Sequence, residues 1–369
     1  GYETRLRGSM KFLPVTFVFA ALILLSIYPL YTSAKTELAP QEDQGVIFAF
    51  LNAAPNATLQ QRQMSNQKVY DIISGFPESG HVFQLDTAGR YIAGMRMKPW
   101  DERDLTSNDI QPLRQQQIGT VAALNGAVFQ PPPLPGARGF PIQFVLTTTQ
   151  PFERFYDVTQ KFLQDAQKTG QFIFVDTDLK IDRPQATVDI DREKAAQFGL
   201  TMNDVGNALS SMLGGGYVNY FILDGRSYKV IPQVEQASRL NADQLANYYV
   251  RTKDGTPIPL STLAKIRMST VPQSLNHFQQ LNSAGINGVM MPGISQGDAL
   301  QTLTNLAKTL PEGYSVDYAG PSRQFAQESG GFALMFGFAL IIIFLALAAQ
   351  FESFRDPLII LLTVPLAIG

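Results

Sequence analysis

The sequence predicts an α+β membrane protein, in which transmembrane helices flank a large outer domain built from strand–helix–strand units. The first observation is a pair of uncharged apolar runs at 12–32 and 331–350, with a third run over 357–369. A helix needs about 20 apolar residues to cross a bilayer, and the first two runs reach that length. The second observation is that the long segment between them alternates between strand and helix periodicity.

The first apolar run has two interpretations. It is longer than the core of a signal peptide, which has about 7–15 residues, and only residues 32–34 offer a weak cleavage site, so a transmembrane helix is favoured. Arg5, Arg7 and Lys11 precede this run, and Arg355 follows the second one. Positive residues stay on the cytoplasmic side, so residues 36–329 are predicted to lie outside. Because the chain starts without methionine and stops inside an apolar run, we expect a longer protein.

Composition argues against several classes of protein. The 369 residues include no cysteine and two histidines, and the net charge is −2. Without cysteine there is no disulfide, thiolate metal ligand or cysteine nucleophile. His81 and His277 lie in different segments with no acidic residue at catalytic spacing. The near-neutral charge, with no basic stripe, argues against nucleic acid. We therefore expect no enzyme activity, metal or cofactor.

The outer domain begins with one strand–helix–strand–helix series. Strands are predicted near 45–51 and 91–97, and helices near 59–73 and 110–124. The proline-rich segment 131–136 is stiff, because proline fixes the backbone and removes a hydrogen-bond donor. We interpret it as a boundary between two subdomains.

A second series follows the proline-rich segment and is interrupted. Its predicted elements lie at 142–146, 152–166, 172–175, 288–291, 300–310 and 314–318. Two such units, each closed by antiparallel pairing, form ferredoxin-like split βαβ sandwiches. The segment 187–270 differs, with two short helices and a glycine-flanked hairpin, so it is predicted to be an insertion.

The order of these motifs resembles one family closely. The matching stretches are 38–45 (LAPQEDQG), 188–195 (VDIDREKA), 215–219 (GGYVN), 348–353 (AAQFES) and 364–366 (VPL). The chain is similar over its whole length to the second half of a resistance–nodulation–division (RND) efflux transporter of the hydrophobe/amphiphile branch. Such a protein is the inner-membrane subunit of a tripartite multidrug pump.

The resemblance implies a domain organisation and partners. The implied parts are a seventh transmembrane helix at 12–32, a first porter subdomain at 41–138, a second at 139–186 and 271–322, a docking subdomain at 187–270, an eighth helix at 331–350 and the start of a ninth at 357–369. Family members are homotrimers of the bacterial inner membrane, with a large periplasmic domain. They exchange protons for amphiphilic small molecules, and they work with a periplasmic adaptor protein and an outer-membrane channel.

The resemblance also implies a substrate cleft between the two porter subdomains. The implied lining residues are Phe50, Phe140, Ile142 and Phe144. Promiscuous sites for amphiphiles have aromatic and flexible apolar walls with few polar groups. Many members place an arginine where this chain has Asp176, which here favours neutral or cationic substrates. The alternative for the four apolar residues is that they are ordinary core.

The predicted hairpin carries an unusual number of aromatic residues. Tyr217, Tyr220, Phe221 and Tyr228 lie on it or beside it. Aromatic residues on a protruding element are typical of interfaces, so we expect contacts with another subunit or a partner. The alternative is that they pack back onto their own helices.

Two departures from the family leave the substrate open. The long switch loop of multidrug members is reduced to residues 86–90 here, and Asp176 replaces a positive residue. One alternative is therefore an RND exporter of a dedicated lipid or metabolite. Another is a membrane-anchored periplasmic receptor or assembly protein without transport. Ionisable residues within membrane helices are the expected sites of proton coupling, and neither complete run contains one.

Overall fold

The computed structural model describes residues 11–33, 35, 37–87, 91–134, 138–329 and 331–368. It is a mixed α+β chain, as the sequence predicts, and it separates into two compact units. The first unit contains residues up to Leu179 and from Ser274 onward, and the second is Lys180–Gln273.

In chain order the elements up to residue 179 are α1 Leu13–Ser33, β1 Val46–Ala53, α2 Leu59–Ser74, β2 Ser79–Asp86, β3 Tyr91–Met97, α3 Ser107–Ile118, β4 Leu124–Phe129, β5 Ile142–Thr148, α4 Phe152–Lys168 and β6 Phe172–Thr177. Then follow β7 Ile181–Ile190, α5 Arg192–Gln197, α6 Met202–Leu213, β8 Asn219–Leu223, β9 Arg226–Val230, β10 Tyr249–Arg251, β11 Pro257–Pro259, α7 Leu260–Leu263 and β12 Ala264–Pro272. The last are β13 His277–Phe278, β14 Leu281–Met290, α8 Gln296–Ala307, β15 Tyr314–Tyr318, α9 Gly320–Ser329, α10 Phe332–Phe351 and α11 Arg355–Ile368.

The first sandwich is a four-stranded antiparallel sheet covered by α2 and α3. The strand order is β2-β3-β1-β4, which is the split βαβ arrangement. Both helices begin at a threonine cap: Thr58 accepts a hydrogen bond from the Gln61 amide, and Thr106 forms a capping box with Asp109. Between sheet and helices lies a core that includes Val69, Ala93 and Ile110.

The second sandwich has the same arrangement but is assembled from distant segments. Its sheet runs β13-β14-β5-β15, and β6 also pairs with β14. Helices α4 and α8 pack on one face, over a core that includes Phe144, Phe155, Ile286 and Leu303. Strands β5 and β6 precede the second unit in sequence, while β14 and β15 follow it. The chain therefore leaves this sheet after β6 and returns to it at β13.

The second unit has a core of its own. The strands β7 and β12 form a two-stranded antiparallel ribbon, and β8 pairs with β9 in a hairpin. Helices α5, α6 and α7 and strand β10 contribute to the buried core residues, which are Ala195, Leu200, Val205, Leu245, Tyr248, Val250, Leu260 and Leu263.

Two of the described helices are long and apolar enough to cross a membrane, judged by length and composition. They are α1 and the helical stretch that ends with α10. Their large apolar side chains are exposed, as for Leu25 (70%) and Ile342 (65%). Such surfaces suit a lipid environment, because exposure of this much apolar area to water is unfavourable.

Candidate functional site

A cluster of aromatic rings lies on the face of the first sheet that its helices do not cover. Successive side chains of a strand point to opposite faces of the sheet. On β1, Ile47, Ala49 and Leu51 belong to the helix-packed core. Phe48 and Phe50 alternate with them and belong to a separate cluster on the other face. The same strand therefore builds both the core and the candidate site.

The second sandwich contributes to this cluster from the opposite side. The aromatic cluster, as we call it, consists of Phe48, Phe50, Ala127, Phe129, Phe140, Phe174 and Val289. The ring centroids of Phe50 and Phe129 are 4.7 Å apart, those of Phe129 and Phe140 are 5.4 Å apart, and Phe140 and Phe174 stack at 5.9 Å. These separations are favourable for aromatic pairs. The two sandwiches thus meet through rings that belong to neither helix-packed core, and in this conformation the rings close the gap.

A polar contact between the sandwiches accompanies the rings. The side-chain amide of Asn125, on β4, donates a hydrogen bond of 2.9 Å to Oδ2 of Asp176, on β6. The other carboxylate oxygen of Asp176 accepts a hydrogen bond of 2.8 Å from the Thr177 amide. Asn125 is exposed and Asp176 is half-buried. A negative charge beside aromatic faces favours cationic groups, since both attract positive charge.

Phe83 extends the aromatic cluster onto the outer strand β2. Its ring lies edge-on to Phe48 at 6.2 Å and is 50% exposed. The ring lies over Gly94, where a Cβ atom would come within 2.1 Å of it. The absence of a side chain at position 94 therefore allows an exposed aromatic ring to lie flat on the sheet beside the cluster.

Two glycines of this sheet give a prediction with a built-in control. An alanine Cβ at Gly126 would lie 2.0 Å from the carbonyl oxygen of Phe50, so β1 and β4 would have to separate. We expect Gly126→Ala to lower the free energy of unfolding by about 1–3 kcal/mol. In Gly94→Ala the nearest atoms to the new Cβ belong to the half-exposed ring of Phe83, which can rotate into solvent, so this variant should lose clearly less stability. Chemical denaturation measures both variants, and equal losses would contradict this interpretation.

The structure separates the predicted cleft residues into two groups. Phe50 and Phe140 lie in the aromatic cluster, and Asp176 lies beside it. Ile142 and Phe144 are fully buried in the core of the second sandwich instead. Within β5 they point towards the helices, and Phe144 stacks on Phe162 of α4 at 5.8 Å. The structure therefore places these two residues in the core and not in the cleft.

The predicted interface residues lie on or next to the β8–β9 hairpin of the second unit. Tyr217, Tyr220, Phe221 and Tyr228 are 50%, 48%, 48% and 41% exposed. Their rings contact each other in pairs: Tyr217 and Tyr220 at 4.8 Å, and Phe221 and Tyr228 stacked at 5.5 Å. The rings thus pack against each other in pairs, but about half of the surface of each residue remains exposed.

Four aromatic residues near the site do not follow from the sequence alone. They are Phe48, Phe83, Phe129 and Phe174. The sequence signal that could have identified them is the alternation of aromatic and aliphatic residues. Phe48 and Phe50 occupy one face of β1, and Ile47, Ala49 and Leu51 occupy the other. Period-two alternation of aromatic with aliphatic residues indicates a strand that is apolar on both faces, and such a strand needs a second partner beyond its own helices.

The chemistry available at this site is binding. In the part of the chain that the structure describes, no group of three or more His, Asp or Glu residues could hold a metal ion. The aromatic cluster supplies apolar contact area, and Asp176 with Asn125 supplies a charge and a hydrogen-bonding group. This combination fits a molecule with an apolar body and a polar or cationic group.

The sequence is similar to a family of known proteins. The sequence model of the AcrB/AcrD/AcrF family matches residues 1–369. An uncharacterized transporter of Haemophilus influenzae is 36% identical over 358 residues, covering 95% of this chain and 34% of that protein. The multidrug/solvent efflux pump membrane transporter MepB of Pseudomonas putida is 30% identical over 384 residues, covering 100% of this chain and 36% of the relative. The multidrug resistance protein MdtF of Escherichia coli K12 is 28% identical over 363 residues, covering 94% and 35%.

The chain therefore spans about a third of the length of the curated relatives that it matches.

Proposed function

Because this chain belongs to the AcrB/AcrD/AcrF family of RND efflux transporters, we propose that the complete protein exports amphiphilic compounds from the periplasm or from the outer leaflet of a bacterial inner membrane. It acts as a proton-driven homotrimer, joined to a periplasmic adaptor and an outer-membrane channel. The family is one of transporters and not of enzymes. The observation that carries the proposal for this chain is the aromatic cluster between the two sandwiches.

The two sandwiches have separate hydrophobic cores. Each sandwich buries its own apolar residues against its own helices, so neither core includes the aromatic cluster. A cleft between two separately packed bodies can open without breaking either of them. When the rings separate, their mutual contacts are replaced by contacts with an apolar ligand, which offsets the cost of opening. Such a site tolerates ligands of varied shape.

The same proposal assigns the parts of the chain. We assign 12–32 and 331–350 to the seventh and eighth membrane helices, 357–369 to the start of the ninth, 41–138 to the first porter subdomain, 139–186 with 271–322 to the second, and 187–270 to the docking subdomain. Residues 36–329 then face the periplasm. The groups that carry protons lie on membrane helices other than 12–32 and 331–350.

Accumulation of a panel of fluorescent dyes tests the proposed function. Cells of an efflux-deficient strain carry either the complete gene or an empty vector. As a second control, the proton gradient of cells with the gene is collapsed by a protonophore. We expect lower accumulation of lipophilic cationic and neutral dyes with the gene, and loss of that difference when the proton gradient is collapsed. Equal accumulation of every dye with and without the gene would contradict export of amphiphiles.

Replacement of Asp176 tests the polar group beside the cluster. Asp176→Asn removes the charge and leaves an amide oxygen that can still accept from Asn125, so we expect export of cationic dyes to fall by up to about five-fold, which corresponds to ~1 kcal/mol. Export of neutral dyes should change little. Asp176→Arg should shift the preference towards anionic substrates. Unchanged ratios of cationic to neutral export in both variants would show that Asp176 does not face the substrate.

A dedicated lipid or metabolite exporter is the second candidate function. The observation that favours it is the Asn125–Asp176 pair, because a fixed polar contact beside an apolar cleft selects ligands with a complementary group. In that case the dye panel would show weak export of every compound, while one cellular compound would accumulate in cells that lack the gene.

The β8–β9 hairpin is proposed to contact another subunit or the adaptor. Its exposed rings offer a contiguous aromatic surface of the kind found at interfaces. A photoreactive amino acid in place of Tyr220 in the complete protein should yield cross-links between subunits or to the adaptor. The same probe at exposed Lys168, in the second sandwich, is the matched control. Only intrasubunit products from position 220 would count against this assignment.

A further inference from the structure

A buried ion pair lies where the chain that leaves α1 joins the first sandwich. Nη1 of Arg103 is 2.9 Å from Oδ2 of Asp43, and the two side chains are only 2% and 7% exposed. The Asp43 carboxylate also accepts hydrogen bonds from the amide of Gly45 (2.9 Å) and from the amide of Ser107 (3.1 Å). Charge-assisted hydrogen bonds are the stronger ones, and here they are shielded from water. The segment 41–45 is therefore held firmly at the start of α3.

The charge of Asp43 is maintained despite burial. Burial by itself raises the pKa of this carboxyl, but the hydrogen bonds from Ser107, Arg103 and Gly45 outweigh that effect and hold the pKa below its ordinary value. Asp43 is consequently ionised at neutral pH, and the ion pair persists there.

The ion pair continues through Ser107 to the aromatic cluster. The Ser107 hydroxyl is 2.7 Å from Oδ1 of Asp43 and 2.9 Å from Oε1 of Gln130. Gln130 is buried, and its side-chain amide donates to Asn108 (2.7 Å) and Gln111 (3.0 Å) on α3. Gln130 directly follows Phe129, the most buried phenylalanine of the cluster. Asp43 is thus connected to Phe129 by one hydroxyl, one amide side chain and one peptide bond.

Two exposed glutamines join the same segment to the proline-rich segment. Nε2 of Gln41 donates to the carbonyl of Pro131 (2.9 Å), and Nε2 of Gln44 lies 3.5 Å from the carbonyl of Pro132. These prolines continue the chain from Gln130. The chain that leaves α1 therefore contacts α3, the end of β4 and the first residues after it.

A corresponding set of contacts lies on the other side of the proline-rich segment. Nε2 of Gln143 donates to the carbonyls of Arg138 (2.9 Å) and Phe140 (3.0 Å), while the amide of Gln143 donates to Oγ of Ser322 (2.9 Å). Ser322 lies in α9, which leads towards the second membrane-length helix. Phe140 belongs to the aromatic cluster. The rings of Phe129 and Phe140 meet between the sandwiches. The segment 41–45, which follows α1, is thus hydrogen-bonded to residues next to Phe129, and α9, which precedes α10, is hydrogen-bonded to Gln143, whose side chain bonds the Phe140 carbonyl.

From this arrangement we propose that Asp43 is a positioning residue that couples the first membrane helix to the aromatic cluster. It holds the chain leaving α1, the start of α3 and the Phe129 end of β4 as one body, so movement of that chain displaces Phe129 relative to Phe140. Packed cores and interfaces change between discrete arrangements rather than deform continuously, so displacement is transmitted and not absorbed. This inference rests on the proposed export function.

The test follows the distance between the sandwiches. Spin labels at exposed Thr120 and Lys168, one on each sandwich, are placed in the complete protein in liposomes, and dipolar distances are measured with and without a proton gradient. In the parent protein we expect the distance distribution to change with the gradient. Asp43→Asn should abolish this change and reduce export by at least about three-fold, the range expected for loss of a coupling contact.

Two further variants keep the test decisive. Asp71→Asn is the control, because the exposed Asp71 accepts a side-chain hydrogen bond of 2.9 Å from Gln67 in the same sandwich but, among the described residues, hydrogen-bonds neither 41–45 nor 131–134. It should retain the gradient-dependent change. The double variant Gln41→Ala/Gln44→Ala removes only exposed side chains, so it should fold normally and show a weakened change.

Three outcomes overturn the inference. The first is an Asp43→Asn protein that retains the parental distance change, and the second, should Asp43→Asn fail to assemble, is a parental change in the double glutamine variant. The third is loss of the change in the Asp71→Asn control as well, which would indicate general destabilisation. A parent protein that shows neither export nor any change would instead contradict the proposed function itself.

Discussion

Replacing Phe144 by alanine is expected to lower the free energy of unfolding by about 3–5 kcal/mol, the range for removal of a buried aromatic ring. Phe144 is fully buried, stacks on Phe162 at 5.8 Å and contacts Tyr318 edge-on at 5.6 Å. The cavity would lie in the middle of the second sandwich, between β5 and α4. Denaturant titration of the complete protein in detergent, followed by intrinsic fluorescence, measures this effect.

Phe140 provides the matched comparison, since it lies two residues before β5 and is only half-buried. Phe140→Ala should cost less stability than Phe144→Ala but should alter the export of large substrates. Replacing both residues together would mix a folding defect with a binding defect, so the single variants are needed. Equal stability of the two single variants, or parental export by a Phe140→Ala protein, would contradict the separation into core and cluster.

Replacing Arg103 by methionine is expected to have a similarly large effect, with a loss of about 3–5 kcal/mol in the free energy of unfolding. The change leaves the buried carboxylate of Asp43 without its cationic partner. It also removes the guanidinium that lies 4.1 Å from the Trp100 ring centroid. The proper control is Arg267→Met, because Arg267 pairs with Asp189 but the two side chains are 72% and 44% exposed. Exposed pairs contribute about 0–1 kcal/mol, so this variant should be nearly as stable as the parent.

The Arg103 variant also predicts a pH dependence. In the parent the pKa of Asp43 lies below its ordinary value of 3.8. The stabilisation from the ionised carboxylate is therefore complete above that value and is lost only as the pH falls through the lower, folded-state pKa. Without Arg103 the folded-state pKa moves back towards its ordinary value, so the acid-induced loss of stability that Asp43 contributes should be smaller and should be complete at a higher pH. Identical acid-denaturation profiles for parent and Arg103→Met would contradict the assignment of this ion pair.

Some elements of the fold could be predicted from their side chains alone. The strands Tyr91–Met97 and Tyr314–Tyr318 have the predicted bounds, because they are short apolar or alternating segments flanked by turn residues. Strand β4 was not predicted, since the expected helix at 110–124 ends at Ile118 and Leu124 begins the strand.

The ribbon of β7 and β12 could not be predicted, for a physical reason. The two strands pair only with each other, and most of their side chains are exposed or half-buried. Neither face is fully buried, so selection for alternating apolar residues is weak, and Pro184 further weakens the strand signal. Alternation of apolar and polar residues indicates a strand with one buried face, and neither strand of this ribbon has a well-buried face.

The candidate site was predictable only in part for a related reason. Phe140 and Phe144 have the same parity in the sequence, which suggests one face of one strand. However, β5 begins at Ile142, so the alternation that places Phe144 in the core does not extend back to Phe140. Which face of a sheet meets a second body depends on tertiary packing, and period-two alternation alone does not contain that information.

If substrate passes through an opening between the two sandwiches, as proposed, a reversible covalent bond across that opening should block export. Asn125 and Asp176 touch across the gap, and these 369 residues contain no cysteine, so Asn125→Cys/Asp176→Cys introduces the only pair of thiols in this part of the protein, and any cysteine elsewhere in the complete protein is first replaced by serine. Dye export is measured in cells before oxidation, after oxidation and after reduction, with each single cysteine variant as a control and cross-link formation followed by a gel shift. Relative to each variant's own level before oxidation, export should stop when the disulfide forms and return when it is reduced, while oxidation should change export in neither single-cysteine variant. Unchanged export by fully cross-linked protein would contradict passage of substrate through this opening.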